Sequence, residues 1–119
     1  MTPEQNPKQR YDLEERTFAL AKGCRAFVKT LSKTTGNIED ARQLVRSSGS
    51  VGADLHRANG WLGKKDVVCR IKICRKEAKK SRYWLRLIEA ANKAKERHAL
   101  VQEAQELMNI FGAIVRKSE

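Results

Sequence analysis

Proline is nearly absent from this chain of 119 residues: there are two, Pro3 and Pro7, and beyond Pro7 no residue rigidly breaks a helix. Aromatic residues make up only 6 %. No segment alternates apolar and polar residues as a half-buried strand would, and no repeat of fixed length recurs. No apolar run approaches the roughly 20 residues needed to cross a bilayer. The opening MTPEQNPKQR lacks the apolar core of a signal peptide. A soluble, cytoplasmic protein is the expectation. The three cysteines, Cys24, Cys69 and Cys74, are odd in number, lack CxxC spacing and each fall inside a helical pattern. That argues against a disulfide framework or zinc site and for reduced thiols buried in a helical core.

Catalytic signatures are missing as well. His56 and His98 sit in different helical contexts, with no Cys, Ser or carboxylate placed to spell a triad. Gly36, Gly49, Gly52, Gly60 and Gly63 form no phosphate loop, since no strand precedes them and no GK[ST] follows. There is no ExxH pair of the kind that carboxylate-bridged metal bundles use. The expectation is a protein without catalytic residues, metal or cofactor.

What the chain does have is charge of one sign, concentrated in one place. Lys and Arg number 25 against 14 Asp and Glu, for a net +11. Residues 64–86, KKDVVCRIKICRKEAKKSRYWLR, carry ten Lys/Arg and two acids, which is +8 of that total. Residues 1–40 are near balance and residues 87–119 carry five charges of each sign. An even excess would suggest general solubility; an excess confined to one segment points to a face with a polyanionic partner. In the same segment Val67, Ile71, Cys74, Ala78, Ser81, Leu85 and Ile88 recur in steps of four and three, a packing seam on one side of a helix. Lys65, Lys72, Lys79 and Arg86 repeat every seven residues on a neighbouring face, flanked by Lys64, Arg75, Lys76, Lys80 and Arg82.

The rest of the chain reads as helices too. A loose tail is expected over residues 1–11 and one helical domain over 12–119. The first helix starts near Asp12, which can cap it, and buries Leu20, Cys24, Phe27, Val28 and Leu31. Residues 32–37 form a turn, with Asn37 expected to cap a second helix from about Ile38 to Leu62. Its stripe is Ile38, Ala41, Leu44, Val45, Ser48, Val51, Leu55 and Ala58. Its middle, Ser47 to Ala53, has poor helix propensity, so it either lets a neighbour approach closely or breaks the helix in two. Residues 59–63 form a second turn and the basic helix runs on to about Ala91. A short charged connection over 92–97 leads to a fourth helix marked by Leu100, Ala104, Leu107, Phe111 and Ile114. Four helices with short connections predict an all-α, antiparallel up-down four-helix bundle. Glu77, an acid among cations, is expected to pair with Lys80 or inside the bundle. Tyr83 and Trp84 read as core or interface aromatics, and Trp61 as the better exposed platform for stacking on a base.

Several of these stretches carry a resemblance. Asp12 to Thr17, Arg46-Ser47-Ser48-Gly49-Ser50-Val51-Gly52-Ala53, Lys65-Asp66, Arg70 to Ala78, Ser81 to Leu87, Glu103 to Leu107 and Ile110-Phe111 together resemble the 23S rRNA-intervening-sequence protein family. It is also called the four-helix-bundle protein family, and the similarity spans about residues 12–117. The resemblance implies an up-down bundle that assembles into a homopentameric ring. It also implies kinship with the accessory variability protein of diversity-generating retroelements, a basic pentamer that binds nucleic acid and a reverse transcriptase. This chain departs from the pattern after Ala53. Where the family usually has Asn, then Glu, then often another Glu, it has Asp54, Arg57 and Gly60, and Val67 stands where Phe is usual. The loss of acids and the gain of Arg57 make the end of the second helix more cationic.

The function expected is that of a non-enzymatic, nucleic-acid-binding scaffold, an accessory subunit for an RNA- or DNA-handling partner. Lys64, Lys65, Lys72, Arg75, Lys76, Lys79, Lys80, Arg86 and Arg57 are the residues expected to meet phosphates. The rival expectation is a protein-interaction or self-assembling module whose basic face docks an acidic protein.

Overall fold

A computed structural model of the chain describes residues 7–60 and 63–118, with side chains from residue 12 onward. Four α-helices make up nearly all of it: α1, Pro7–Lys29; α2, Thr35–Ala58; α3, Lys64–Leu87; and α4, Ala94–Ser118. No strand occurs among the described residues. Each helix packs on its neighbours in chain order, and α1 closes the ring against α4 through the slightest of the four contacts. The links are too short to cross the bundle, so successive helices run antiparallel, as the spacing predicts. Between α3 and α4 the register is visible. Arg82 donates to Gln105, and seven residues back along α3 Arg75 lies across Gly112, seven residues forward along α4.

The helix ends differ from expectation in instructive ways. α1 begins at Pro7, so residues 7–11, expected in the tail, are helical and Asp12 lies inside the helix rather than capping it. Proline suits a first helical position because its missing N–H would find no intrahelical partner there. Residues 1–6, also expected in the tail, lie outside the described residues. The cap of α2 is Thr34, whose Oγ1 accepts the Asn37 N–H at 3.1 Å. Asn37, expected as the cap, is instead buried. Its line continues through Leu44, Ser48, Val51, Leu55 and Ala58, and this leaves Ile38, expected in the stripe, 47 % exposed. α2 stops at Ala58; Trp61 and Leu62 lie outside the described residues. The connection expected over 92–97 contracts to a single 3₁₀ turn, Ala91–Lys93, entered through Ala91 at φ 48°. Beside it Arg97 Nη1 donates to the Ile88 carbonyl at 2.8 Å, satisfying an acceptor at the end of α3.

The small-residue middle of α2 does not break the helix. Ser47 and Ser48 are buried and the helix is continuous. A Cβ on Gly52 would stand 3.2 Å from Thr17 Oγ1, so α1 approaches there more closely than a side chain would comfortably allow. On the other flank Ser47 Oγ lies 2.9 Å from Ser81 Oγ in the contact with α3. The packing of two neighbours thus offsets the weak propensity of this stretch. The α3 seam is inside as expected: Ile71, Cys74, Ala78, Ser81, Leu85 and Ile88 are buried, and Val67 is half-buried at the open end. Leu20, Leu44, Leu85, Leu107 and Phe111, each fully buried, form the centre. Each such side chain contributes about 1.5–3 kcal/mol by its removal from water.

Candidate nucleic-acid interface

Burying the seam of α3 turns the rest of that helix outward. Lys64, Lys65, Lys72, Arg75, Lys76, Lys79, Lys80 and Arg86 are all exposed on it, and Arg57 is exposed near the end of α2. The heptad spacing of Lys65, Lys72, Lys79 and Arg86 makes one row along the helix. Lys76, Lys80, Tyr83 and Leu87, in steps of four, three and four, make a second row beside it. Tyr83 is 57 % and Leu87 50 % exposed, so an aromatic ring and an apolar side chain share the surface with the lysines. Trp84 is half-buried against the core and meets Tyr83 edge to face, with ring centroids 5.0 Å apart. The candidate stacking platform Trp61 lies outside the described residues.

Five of the described acids have partners within the fold. Glu77 accepts from Lys80 Nζ at 3.1 Å, the intrahelical pair expected from the sequence. Asp54 is largely buried, with Arg70 Nη1 at 3.4 Å and Arg57 Nη1 at 3.6 Å. Glu103 and Glu106 of α4 turn to Arg16 of α1, at 2.7 and 3.2 Å. These contacts raise the Arg16 pKa, chiefly through the Glu103 hydrogen bond. Glu14 accepts from Asn59 at 3.0 Å with His56 Nδ1 at 3.6 Å. Two of the nine expected phosphate ligands, Lys80 and Arg57, therefore have an intramolecular acid. Lys64, Lys65, Lys72, Lys76, Lys79 and Arg86 have no ion pair among the described residues.

Arg75 and Arg82 point a different way. Arg75 leans over α4 at Gly112. Arg82, half-buried, donates through Nη1 to Gln105, while its Nε is buried without a hydrogen-bond partner among the described residues. Arg116 of α4 joins Arg75 over Gly112, and no spacing within α4 alone singles it out. Only the register of α3 against α4 brings it to the basic helix.

Elsewhere the surface carries grooves. One of about 580 Å³ between α1 and α2 is lined by Glu14, Phe18, Ala21, Gly49, Gly52 and His56, among others. No group of three or more His, Cys, Asp or Glu that could hold a metal occurs among the described residues. No described helix is long and apolar enough to cross a membrane.

No protein-family model matches the chain, and neither does the sequence of any curated protein. Among solved structures, it is similar to a protein of unknown function from the S23 ribosomal protein family of Bacteroides thetaiotaomicron. The TM-score is 0.74 at 20 % identity, over 87 % of this chain and 97 % of that one. That neighbour fits the resemblance to the 23S rRNA-intervening-sequence proteins. What the likeness shows is the fold, a four-helix bundle shared along almost the whole of both chains.

Proposed function

We propose that the protein is a non-enzymatic nucleic-acid-binding scaffold that meets its ligand with the outer face of α3. One observation carries this reading: the cations of that face are exposed and largely without acids, while Glu103, Glu106 and Asp54 are bound to arginines on other faces. Lysine and arginine contacts to phosphates give affinity with little sequence discrimination, and no base-reading module interrupts the helix. The resemblance noted above supports a role as accessory subunit to an RNA- or DNA-handling enzyme such as a reverse transcriptase. A gel shift with RNA and with DNA across a range of salt tests it: retarded bands that disappear as salt rises support the reading, and no shift at low salt overturns it.

A second reading, self-assembly, is favoured by a separate observation. Tyr83 and Leu87 are exposed on the same helix, and Ile73 and Trp84 are only partly covered by the bundle. We propose that these side chains belong to an interface between copies, and that the assembly is a homopentamer like that of the family the sequence resembles. Symmetry would repeat the basic face and add avidity. Light scattering at micromolar concentration should give a multiple of 13.6 kDa; a monomer mass contradicts it.

A further inference from the structure

We infer that Arg75 and Arg116 form a cradle over Gly112 that binds one phosphodiester group, at the edge of the basic face where α3 meets α4. The inference rests on the nucleic-acid reading for the identity of the ligand, and on geometry for the site. A Cβ built on Gly112 would stand 3.3 Å from Arg75 Nε, 3.7 Å from Arg75 Cδ and 3.4 Å from Arg116 Nη1. Two guanidinium groups, one from each helix, therefore lie close over the backbone of α4, where a side chain would press on them by a few tenths of an ångström. Glycine inside a helix costs backbone entropy, and here the missing side chain lets the two arginines approach the helix without adjustment.

Like charges brought this close would ordinarily be bridged by a carboxylate. None is there. Neither arginine makes an ion pair or hydrogen bond among the described residues, and the acids of α4 that could reach over, Glu103 and Glu106, are held by Arg16 on the far side. Glu77 is occupied by Lys80 on the opposite flank of α3. The cradle presents planar N–H forks without an intramolecular acceptor, the geometry that suits a phosphate better than a point-charge partner. Lys72 and Lys79 stand three residues before and four after Arg75, so they flank it on the helix surface and join the cradle to the lysine row. The site is shallow and both arginines are exposed, which suits a backbone phosphate passing across the surface rather than an enclosed nucleotide.

Arginine Nε–Hε resonances of the full-length, ¹⁵N-labelled protein, assigned with Arg75→Lys and Arg116→Lys, read the site directly. On titration with inorganic phosphate, the Arg75 and Arg116 signals should move together and saturate at a common concentration, while those of exposed Arg42 and Arg46 move little. In Arg116→Gln the Arg75 signal should require at least about threefold more phosphate, because one of the two forks is gone. Equal responses at all four arginines, or an Arg75 response unaltered by Arg116→Gln, overturn the cradle whatever the gel shift shows. A cradle that titrates as described in a protein that retards no RNA or DNA leaves the phosphate site standing and removes the nucleic-acid reading instead.

Discussion

Asn37 and Glu89 bind each other through both backbone groups of Glu89: the Asn37 Nδ2 donates to the Glu89 carbonyl and its Oδ1 accepts the Glu89 N–H, each at 3.1 Å. The same Nδ2 donates to the Ser32 carbonyl at 3.0 Å. One buried amide thus ties the loop before α2 to the chain leaving α3, and it replaces hydrogen bonds that water would otherwise supply. Asn37→Ala should cost about 1–3 kcal/mol in urea denaturation, since it strands part-buried backbone groups as well as losing their partner. Asn37→Asp should be comparably harmful, because it keeps the acceptor but sets a carboxylate against two carbonyl oxygens. An Asn37→Ala protein that unfolds at the wild-type midpoint would show that the clamp contributes nothing.

The cysteines make a separate test of the core. Burial pushes the Cys24 thiol up to about 11 and the Cys74 thiol up to about 12, the latter with help from the Asp54 charge. Cys69 is exposed. A thiol reagent at mildly alkaline pH should modify one cysteine in the native protein and three after unfolding, and Cys69→Ser should abolish the native reaction.

These two shifts also set a pH dependence. A thiol whose folded pKa is raised stays protonated while the unfolded chain ionises. Stability is therefore intact below pH 9.0 and falls as pH rises toward 11 and 12. Replacing Cys24 and Cys74 by Ala should flatten that alkaline decline relative to wild type, read as midpoint against pH. A decline of unchanged steepness would contradict the buried placement of both thiols.

At the hinge into α4, Ala91 holds φ 48° while exposed to solvent. A residue with a Cβ is strained there, and glycine is not. Ala91→Gly should therefore raise stability by about 0.5–1 kcal/mol, against the usual direction for an alanine-to-glycine change. A lower melting temperature in that variant would mean the turn is not left-handed in solution.

Much of the fold is legible in the order of residues because helical burial repeats at a spacing the sequence displays. The α3 seam from Ile71 to Ile88 and the α4 stripe through Ala104, Leu107 and Phe111 lie inside as the periodicity requires. The ends were harder to read. Asn37 is the expected cap, but Thr34 takes that place and the Asn37 side chain is bound instead to Glu89, more than fifty residues away. With that long-range partner Asn37 faces inward and Ile38 outward. The candidate interface divides in the same manner. Exposure of Lys65, Lys72, Lys76, Lys79 and Arg86 follows from the seam alone. The engagement of Arg57 by Asp54 and the convergence of Arg75 with Arg116 depend on how helices meet, which no single helix encodes.

The central claim, that the outer face of α3 holds nucleic acid by its phosphates, is tested most directly by fluorescence anisotropy of a labelled single-stranded RNA across salt, for wild type and for Lys72→Glu with Lys79→Glu. Wild-type affinity should fall steeply, by about 0.7 in the logarithmic salt slope for each phosphate contacted. The double variant reverses two charges on the exposed row and should show no detectable binding, with helicity and assembly mass unchanged. Binding of the variant at wild-type strength, or wild-type affinity indifferent to salt, would contradict the claim.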